Sequence, residues 1–466
     1  MSGTLDSKAS RSLDRRIIAS GISGYCLMLR AARAAFERLM QEQPKSVTCV
    51  AGPGNNGGDA YGVAAFLRLA GVPTTVISIG SPTGDALKAR GLYQDLGGSL
   101  LEQLPDSKSS DWVVDGILGT GCDRPPEGRI REAIAWVNSE RKLGARVLAL
   151  DVPSGLNAST GEAYDPVVAA DITVTFLAQK TGTLTGEGPA YSGEMRLETL
   201  EPWDVEPEPL HTRLVTDDVI DLPSPKNTAH KGTRGSVLIV GGRHGMEGAG
   251  QLSGLAALRT GAGKVYWATD APQFDVPELI RIPWDSVSIV DCASRCQAVV
   301  VGPGLGGDAG DVIRELWAMD LFLVVDADAL TWLSENRLSN RETSWIGTPH
   351  PLEAKRLTGM STADRLSMLE ALETLYDATW VLKGAGTLVS GDPPWLHPVA
   401  NAALGTAGSG DVLAGIIASL WAQGSKSPAM SGVWLHARAF LNAFDDRGPD
   451  VIASDAIDRI GRMKIT

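Results

Sequence analysis

The stretch N-A-A-L-G-T-A-G-S-G-D-V-L-A-G, from Asn401 to Gly415, sets a glycine-rich turn and then Asp411 at the start of an apolar helix. Glycines let backbone N–H groups converge on an anion, and the helix that follows directs its unsatisfied donors and positive dipole end to the same point. A carboxylate there opposes a bound phosphate, unless its task is to take a proton from a hydroxyl that attacks the phosphate. The competing reading is a helix start that Asp411 merely caps. No G-x-x-x-x-G-K-[S/T] occurs, so a P-loop is not indicated.

Upstream of this turn, short apolar runs alternate with helical segments. Ser236 to Val240, Val265 to Ala268, Ala298 to Val301, Leu321 to Val325 and Trp380 to Leu382 are predicted strands. Glycine-rich or polar segments adjoin them: H-K-G-T-R-G-S-V-L-I-V-G-G from His230, V-G-P-G-L-G from Val301, D-A-D-A-L from Asp326, T-P-H-P-L-E from Thr348 and V-L-K-G-A-G-T from Val381. Lys383 to Thr387 reads as a glycine-rich hairpin whose backbone and Thr387 hydroxyl suit a nucleotide. Gly408 to Gly410 then neutralise charge on the transferred group. Lys383 is either part of that site or a solvated strand-end charge. His350, between Thr348-Pro349 and Pro351, is either a ligand contact or a loop histidine bonded to backbone.

The N-terminal half has the same logic. Ser46 to Ala51, Thr74 to Ile79, Trp112 to Asp115 and Val147 to Leu150 are predicted strands, and Leu27 to Gln41 a helix. Strands alternating with helices give an α/β fold with a mostly parallel sheet, whose ligands bind beyond the strands' carboxyl ends. Between Glu201 and Lys231, Pro202, Pro207, Pro209, Pro223 and Pro225 interrupt any periodicity and read as a connection. At 466 residues the chain is expected to form two domains, 1–210 and 211–466.

In the first half G-P-G-N-N-G-G-D, Gly52 to Asp59, follows a strand and contains G-x-G-x-x-G. The next strand ends T-V-I-S-I-G-S-P, without the acidic residue of a dinucleotide fingerprint, which weakens an oxidoreductase reading. D-G-I-L-G-T-G from Asp115 and D-V-P-S-G-L-N from Asp151 stand at two further strand ends. Asn56, Asp115 and Ser154 are hard oxygen donors suited to an alkali or alkaline-earth cation, and Asp151 is a candidate for proton transfer. The plain alternative is a set of turn-forming residues.

Composition bounds the partners. A formal charge of −13 argues against nucleic acid. The 43% hydrophobic and 21% charged content, with no apolar run of membrane-spanning length, describes a soluble protein, and the N-terminus lacks a hydrophobic signal core, so a cytoplasmic enzyme is expected. Cys26, Cys49, Cys122, Cys292 and Cys296 form neither a disulfide framework nor a zinc set and read as structural thiols, although Cys292 and Cys296 could share a helix face.

G-P-G-N-N-G-G-D, D-G-I-L-G-T-G, D-V-P-S-G-L-N and T-F-L-A-Q-K-T-G resemble the NAD(P)H-hydrate epimerase family, with a Rossmann-like three-layer fold. The resemblance implies hydrated-nucleotide contacts at Asn55, Asn56, Gly57, Gly58 and Asp59, at Gly119, Thr120, Gly121, Cys122, Asp123, Arg124 and Pro125, and at Asp151. It implies potassium on Asn56, Asp115 and Ser154. Ala60 stands where that family usually has glycine, and Leu27 to Ala32 lacks its usual acidic residue.

The second half resembles the ribokinase-like superfamily, α/β/α in architecture, and within it the ADP- or ATP-dependent NAD(P)H-hydrate dehydratases. Lys383, Gly384, Ala385, Gly386, Thr387 and Gly410 are then implied to contact the adenine nucleotide. Ala249, Gly306, His350 and Asp411 are implied to contact the hydrated dinucleotide. The implied reaction exchanges R and S hydrates and dehydrates the S form at the expense of ADP, with Mg2+, giving NAD(P)H, AMP and phosphate. A homo-oligomer is expected. The other reading is a small-molecule kinase fused to a non-catalytic Rossmann-like binding module.

Overall fold

The computed structural model describes residues 3–106, 110–201, 203–224, 234–272 and 276–461. The chain divides into two compact units, Met1–Arg213 and Leu214–Thr466, and the division falls inside the short strand Thr212–Leu214.

The first unit is built on seven strands in the order Ser99–Leu101, Thr74–Ser78, Val47–Ala51, Trp112–Gly116, Arg146–Leu150, Ile172–Phe176, Glu194–Glu198, all parallel. The four predicted strands lie in its centre. Central strands are buried on both faces and read as short apolar runs. Glu194–Glu198, an edge strand of alternating charge, gives no such signal. The order reverses between Val47–Ala51 and Trp112–Gly116, and such a switch point opens a crevice beyond the carboxyl ends of the two strands.

A small ladder lies beside this sheet. Gly3–Leu5 pairs antiparallel with Thr212–Leu214 and parallel with Gln179–Lys180, placing Leu5 opposite Lys180. Buried Thr4 ties it down, its hydroxyl 2.6 Å from that of Thr181 and 2.7 Å from that of Thr212. The connection expected between Glu201 and Lys231 contains this strand and a 3-10 turn, Asp217–Val219, whose Asp217 accepts a hydrogen bond from Trp434 Nε1 at 2.8 Å. A three-residue strand is too short to show alternation among prolines. Residues 225–233 of the connection, His230 and Lys231 included, lie outside the described residues.

The second unit holds seven parallel strands in the order Ile280–Ile282, Lys264–Ala268, Ser236–Val240, Ala298–Val301, Phe322–Val325, Trp345–Gly347, Thr379–Leu382, extended antiparallel by Thr387–Val389 and Trp395–His397. All five predicted strands are present, and Lys383 to Gly386 is the turn of a hairpin. Helix Ser409–Ala422 runs through the core, with Val412 to Leu420 buried at every position. A helix apolar all round has no solvent face to offer. Trp345 sits edge-on to Trp317, Tyr376 and Trp380.

Among the described residues no helix is long and apolar enough to cross a membrane. All five cysteines are free and four are buried. Helix Ser286–Ala293 ends before Cys296, so Cys292 and Cys296 do not share a helix face.

Candidate active sites

At the switch point of the first unit is a cavity of about 430 Å³. Its wall carries Asn55, Asn56, Asp59, Gly119, Thr120, Gly121 and Asp151 from the predicted set, joined by Asp14 and Lys180. Gly57 and Gly58 do not line it. A Cβ on Gly57 would fall 1.9 Å from Gly52 O, and one on Gly58 2.5 Å from the Met28 thioether. These glycines let helix Asn55–Leu69 start tightly against the strand turn. Cys122, Asp123, Arg124 and Pro125 also fall outside the wall: Cys122 is buried, its thiol 3.8 Å from Arg124 O, and Asp123 O accepts from Tyr164 Oη. The Ala60 methyl faces Gly116 in the core, away from the cavity.

Asp151 takes φ 64°, the left-handed region, costly without glycine and concentrated at functional sites. It forms a close ion pair with Lys180, which is 1% exposed and also donates to Phe176 O at 2.6 Å. Burial, then the charges of Asp151 and Asp14, holds the Asp59 carboxyl well above the usual carboxylate range. Burial and then Asp151 raise Asp14 as well.

Behind the wall, Asp115 is fully buried. Its Oδ1 accepts from Ser154 Oγ at 2.6 Å and its Oδ2 from Ser154 N at 2.9 Å. Burial pushes its pKa up to about 6 despite those bonds. Asn56 donates to Leu118 O at 2.7 Å while its buried Oδ1 has no partner among the described residues. A buried carbonyl oxygen left unpaired is a group that a hard cation could satisfy.

In the second unit the predicted residues converge. Gly408 is the N-cap of helix Ser409–Ala422 at φ 85°, open only to glycine without strain, so Asp411 lies in the first turn and is not its cap. Lys383 lies against this turn: a Cβ on Gly410 would be 3.0 Å from Lys383 Nζ. That ammonium is no solvated strand-end charge, for it pairs at 2.7 Å with Asp326, 1% exposed, whose successor Ala327 takes φ 48°. Burial opposes the charged lysine, but the Asp326 and Glu353 carboxylates overcome it and raise its pKa. Burial, then Asp326, pushes Asp411 up to about 7, within the range of a general base.

On one side, Asp328 lies close enough for its charge to raise Asp411 and accepts from Gly306 N at 2.9 Å, and a Cβ on Gly304 would fall 3.1 Å from the Ala249 methyl. On the other, His350 caps helix Pro351–Thr358. Its Nδ1 accepts from Leu352 N at 3.1 Å and Glu353 N at 3.2 Å, while Glu353 accepts from His350 N at 2.8 Å. The backbone-bonded reading of His350 is thus realised; its Nε2 lies 3.4 Å from Glu353 Oε1, and the side chain stays 43% exposed.

Two residues that no sequence motif marks support this site. Arg365, 6% exposed, donates to Leu382 O and Lys383 O at 2.9 Å, to Gly386 O at 2.8 Å and to Ala385 O. It therefore sets the shape of the hairpin turn, and burial lowers its pKa to about 10. His436 Nε2 is 2.9 Å from Ser409 O and 3.1 Å from Ser409 Oγ, steadying the first turn of the Asp411 helix. Neither has a local motif, because each acts from a helix far along the chain.

A family model described as YjeF-related protein N-terminus matches residues 24–182, and one described as NAD(P)H-hydrate dehydratase matches residues 237–462. The chain is 36% identical over 474 residues to the bifunctional NAD(P)H-hydrate repair enzyme Nnr of Coxiella burnetii, covering 94% of each chain. It is 35% identical to the enzyme of the same name from Escherichia coli K12, over 95% of this chain and 90% of the other. A solved ADP/ATP-dependent NAD(P)H-hydrate dehydratase from Bacillus subtilis, co-crystallized with ATP/Mg2+, is 27% identical at a TM-score of 0.48, covering 53% of this chain and 96% of the other. A small-molecule kinase carrying a passive binding module gains no support from relatives that span both halves and are named for repair. With both halves matched in order and full-length relatives above 30% identity, the chain belongs to the family of bifunctional NAD(P)H-hydrate repair enzymes.

Proposed function

We propose that the chain restores hydrated NADH and NADPH, exchanging their R and S epimers in the first unit and dehydrating the S form with ADP in the second. The observation that carries the second activity is Asp411 in the first turn of a buried helix, its carboxyl pushed up to about 7 beside the Lys383–Asp326 pair. Water adds to an enamine double bond so that the hydroxyl sits on the carbon next to nitrogen. Hydroxide is a poor leaving group from that carbon. Asp411 takes the hydroxyl proton, the oxygen attacks the terminal phosphoryl of ADP, and AMP departs. Phosphate then leaves with its bonding pair, the neighbouring carbon loses a proton, and the ring double bond returns.

Backbone donors from Gly408 to Gly410 and the Lys383 ammonium meet the charge that develops on the transferred group. Lys383, Gly384, Ala385, Gly386 and Thr387 are assigned to the nucleotide, and Ala249, Gly306 and His350 to the hydrate. Mg2+ would enter with the nucleotide phosphates, for which one or two carboxylates suffice. The deciding experiment incubates NADH hydrate with ADP or ATP and follows reduced-nicotinamide absorbance and inorganic phosphate. Equal amounts of both products support the reading. A stable phosphorylated hydrate without NADH overturns it in favour of a kinase.

Arg365→Met should weaken ADP binding by about tenfold or more, since four carbonyls that shape the hairpin lose charge-assisted bonds. Calorimetric titration with ADP checks this. An unchanged Kd would show that the turn holds its form without the guanidinium.

Asn56, Asp115 and Ser154 are assigned to potassium, which would offset the Asp115 charge and complete the Asn56 carbonyl. Exchanging potassium for N-methylglucamine should slow epimer exchange severalfold, and Asn56→Leu should abolish the response to potassium. Chromatography of the two epimers reads both effects. Potassium-independent exchange by the unaltered protein would remove the assignment.

A further inference from the structure

We propose that Asp14 is a second catalytic carboxyl of the epimerase site, protonating the hydroxyl that departs from the hydrate while Asp151 receives the proton of the water that returns on the opposite face. The assignment rests on the epimerase reading given above and deepens it. Asp14 lies outside the matched span 24–182, on helix Ser7–Ala19.

That helix is a wall of the cavity, for Ser10, Asp14 and Ile18, spaced four residues apart, all line it. Its adjoining face is fixed: Leu13 and Ile17 are 0% exposed in a cluster with Leu5, Leu27 and Leu177. Asp6 caps the helix through Ala9 N at 2.6 Å, and Arg11 Nη1 reaches Thr120 O at 3.1 Å on the opposite loop. Asp14 is therefore held rigidly at the cavity, yet among the described residues no ion pair or side-chain hydrogen bond engages its carboxyl. A carboxyl so placed without a structural partner is free for substrate.

Inverting a carbon that bears both hydroxyl and nitrogen requires breaking its C–O bond. The hydroxyl takes a proton and leaves as water, and the nitrogen lone pair forms a C=N bond, making the ring a cation. Water then adds to the other face and gives its proton to a carboxylate, and exchange with solvent returns a proton to the first carboxyl and removes one from the second, so no electrons are gained or lost and the site is reset. One protonated and one ionised carboxyl are needed. Asp151 is ion-paired with Lys180, whereas Asp14 makes no ion pair among the described residues; burial and then Asp151 raise it, against the opposing charges of Lys180 and Arg15. One carboxyl held in an ion pair and one without, on the same cavity wall, can divide the base and acid roles. The carboxylates around the ring also favour its cationic intermediate.

The test follows conversion of pure S-NADH hydrate to the R form by the full-length protein without ADP. Asp14→Asn should lower kcat for exchange by about 10²–10⁴-fold with KM within about threefold, the range expected for loss of a proton-transfer group. It should also remove the fall in rate at high pH that marks an essential acid. ADP-dependent dehydration of the S form should keep its wild-type rate, which shows that the chain is folded. Exchange within threefold of wild type, or an unaltered pH profile, overturns the role. If Asp14→Asn disturbs folding, Asp14→Ala with added formate replaces it: restored exchange supports the role and unrestored exchange opposes it. Absence of exchange by the wild-type chain overturns the epimerase reading itself, and the Asp14 assignment with it.

Discussion

Replacing Asp411 by asparagine should reduce ADP-dependent recovery of NADH by about 10²–10⁴-fold or more, because a general base is lost, and leave epimer exchange at the wild-type rate. Reduced-nicotinamide absorbance reads the first quantity and chromatography of the epimers the second. Recovery at the wild-type rate would end the assignment. In the unaltered enzyme the base must be ionised, so dehydration should rise with pH through about 7 and level off above it. The same shift sets a stability effect of known sign. Because the folded chain holds this proton to higher pH than the unfolded chain does, stability falls as pH rises from the ordinary carboxylate range through about 7. Asp411→Asn removes that loss, so its melting temperature at pH 8 should equal or exceed that of wild type while its dehydration rate falls as stated.

Asp151→Asn should act in the other unit with the opposite stability outcome. Exchange should drop to the uncatalysed rate, so a mixture of hydrates is repaired in two phases: the S form at normal speed and the R form slowly. Fast, complete repair of both would refute the role. The substitution also leaves the Lys180 ammonium, 1% exposed, without its carboxylate. Breaking a buried pair from one side costs about 3–5 kcal/mol, and a lowered melting temperature should report it. Asp151→Asn combined with Lys180→Met removes both charges and should regain much of that stability with no return of exchange. Stability and chemistry are thereby separated at one site.

Much of the fold was legible because its signals are local. Central strands such as Ser236–Val240 and Arg146–Leu150 are continuous apolar runs after their first residue, and glycine-rich segments at their carboxyl ends mark where ligands enter a parallel sheet. Edge and accessory strands were not legible. Glu194–Glu198 is mostly exposed and charged, and Gly3–Leu5 is a strand only because Thr212–Leu214 and Gln179–Lys180 pair with it.

The candidate sites divide along the same line. Asn56, Asp115, Asp151, Lys383 and Asp411 stand in motifs whose residue types and turn-forming neighbours point to chemistry unaided, and the sequence by itself determined them as candidates, together with the order of two α/β halves. Tertiary structure alone decided their partners and states. Lys180 reaches Asp151 from 29 residues away, Lys383 reaches Asp326 from 57, and Arg365 shapes a turn up to 21 residues distant. It also moved Gly57, Gly58 and Cys122 to Pro125 out of the cavity and brought Asp14 into it. The physical reason is the range of the forces: backbone turns and helix starts follow from neighbouring residues, whereas burial and charge pairing, which set protonation, exist only once distant segments close around a common space.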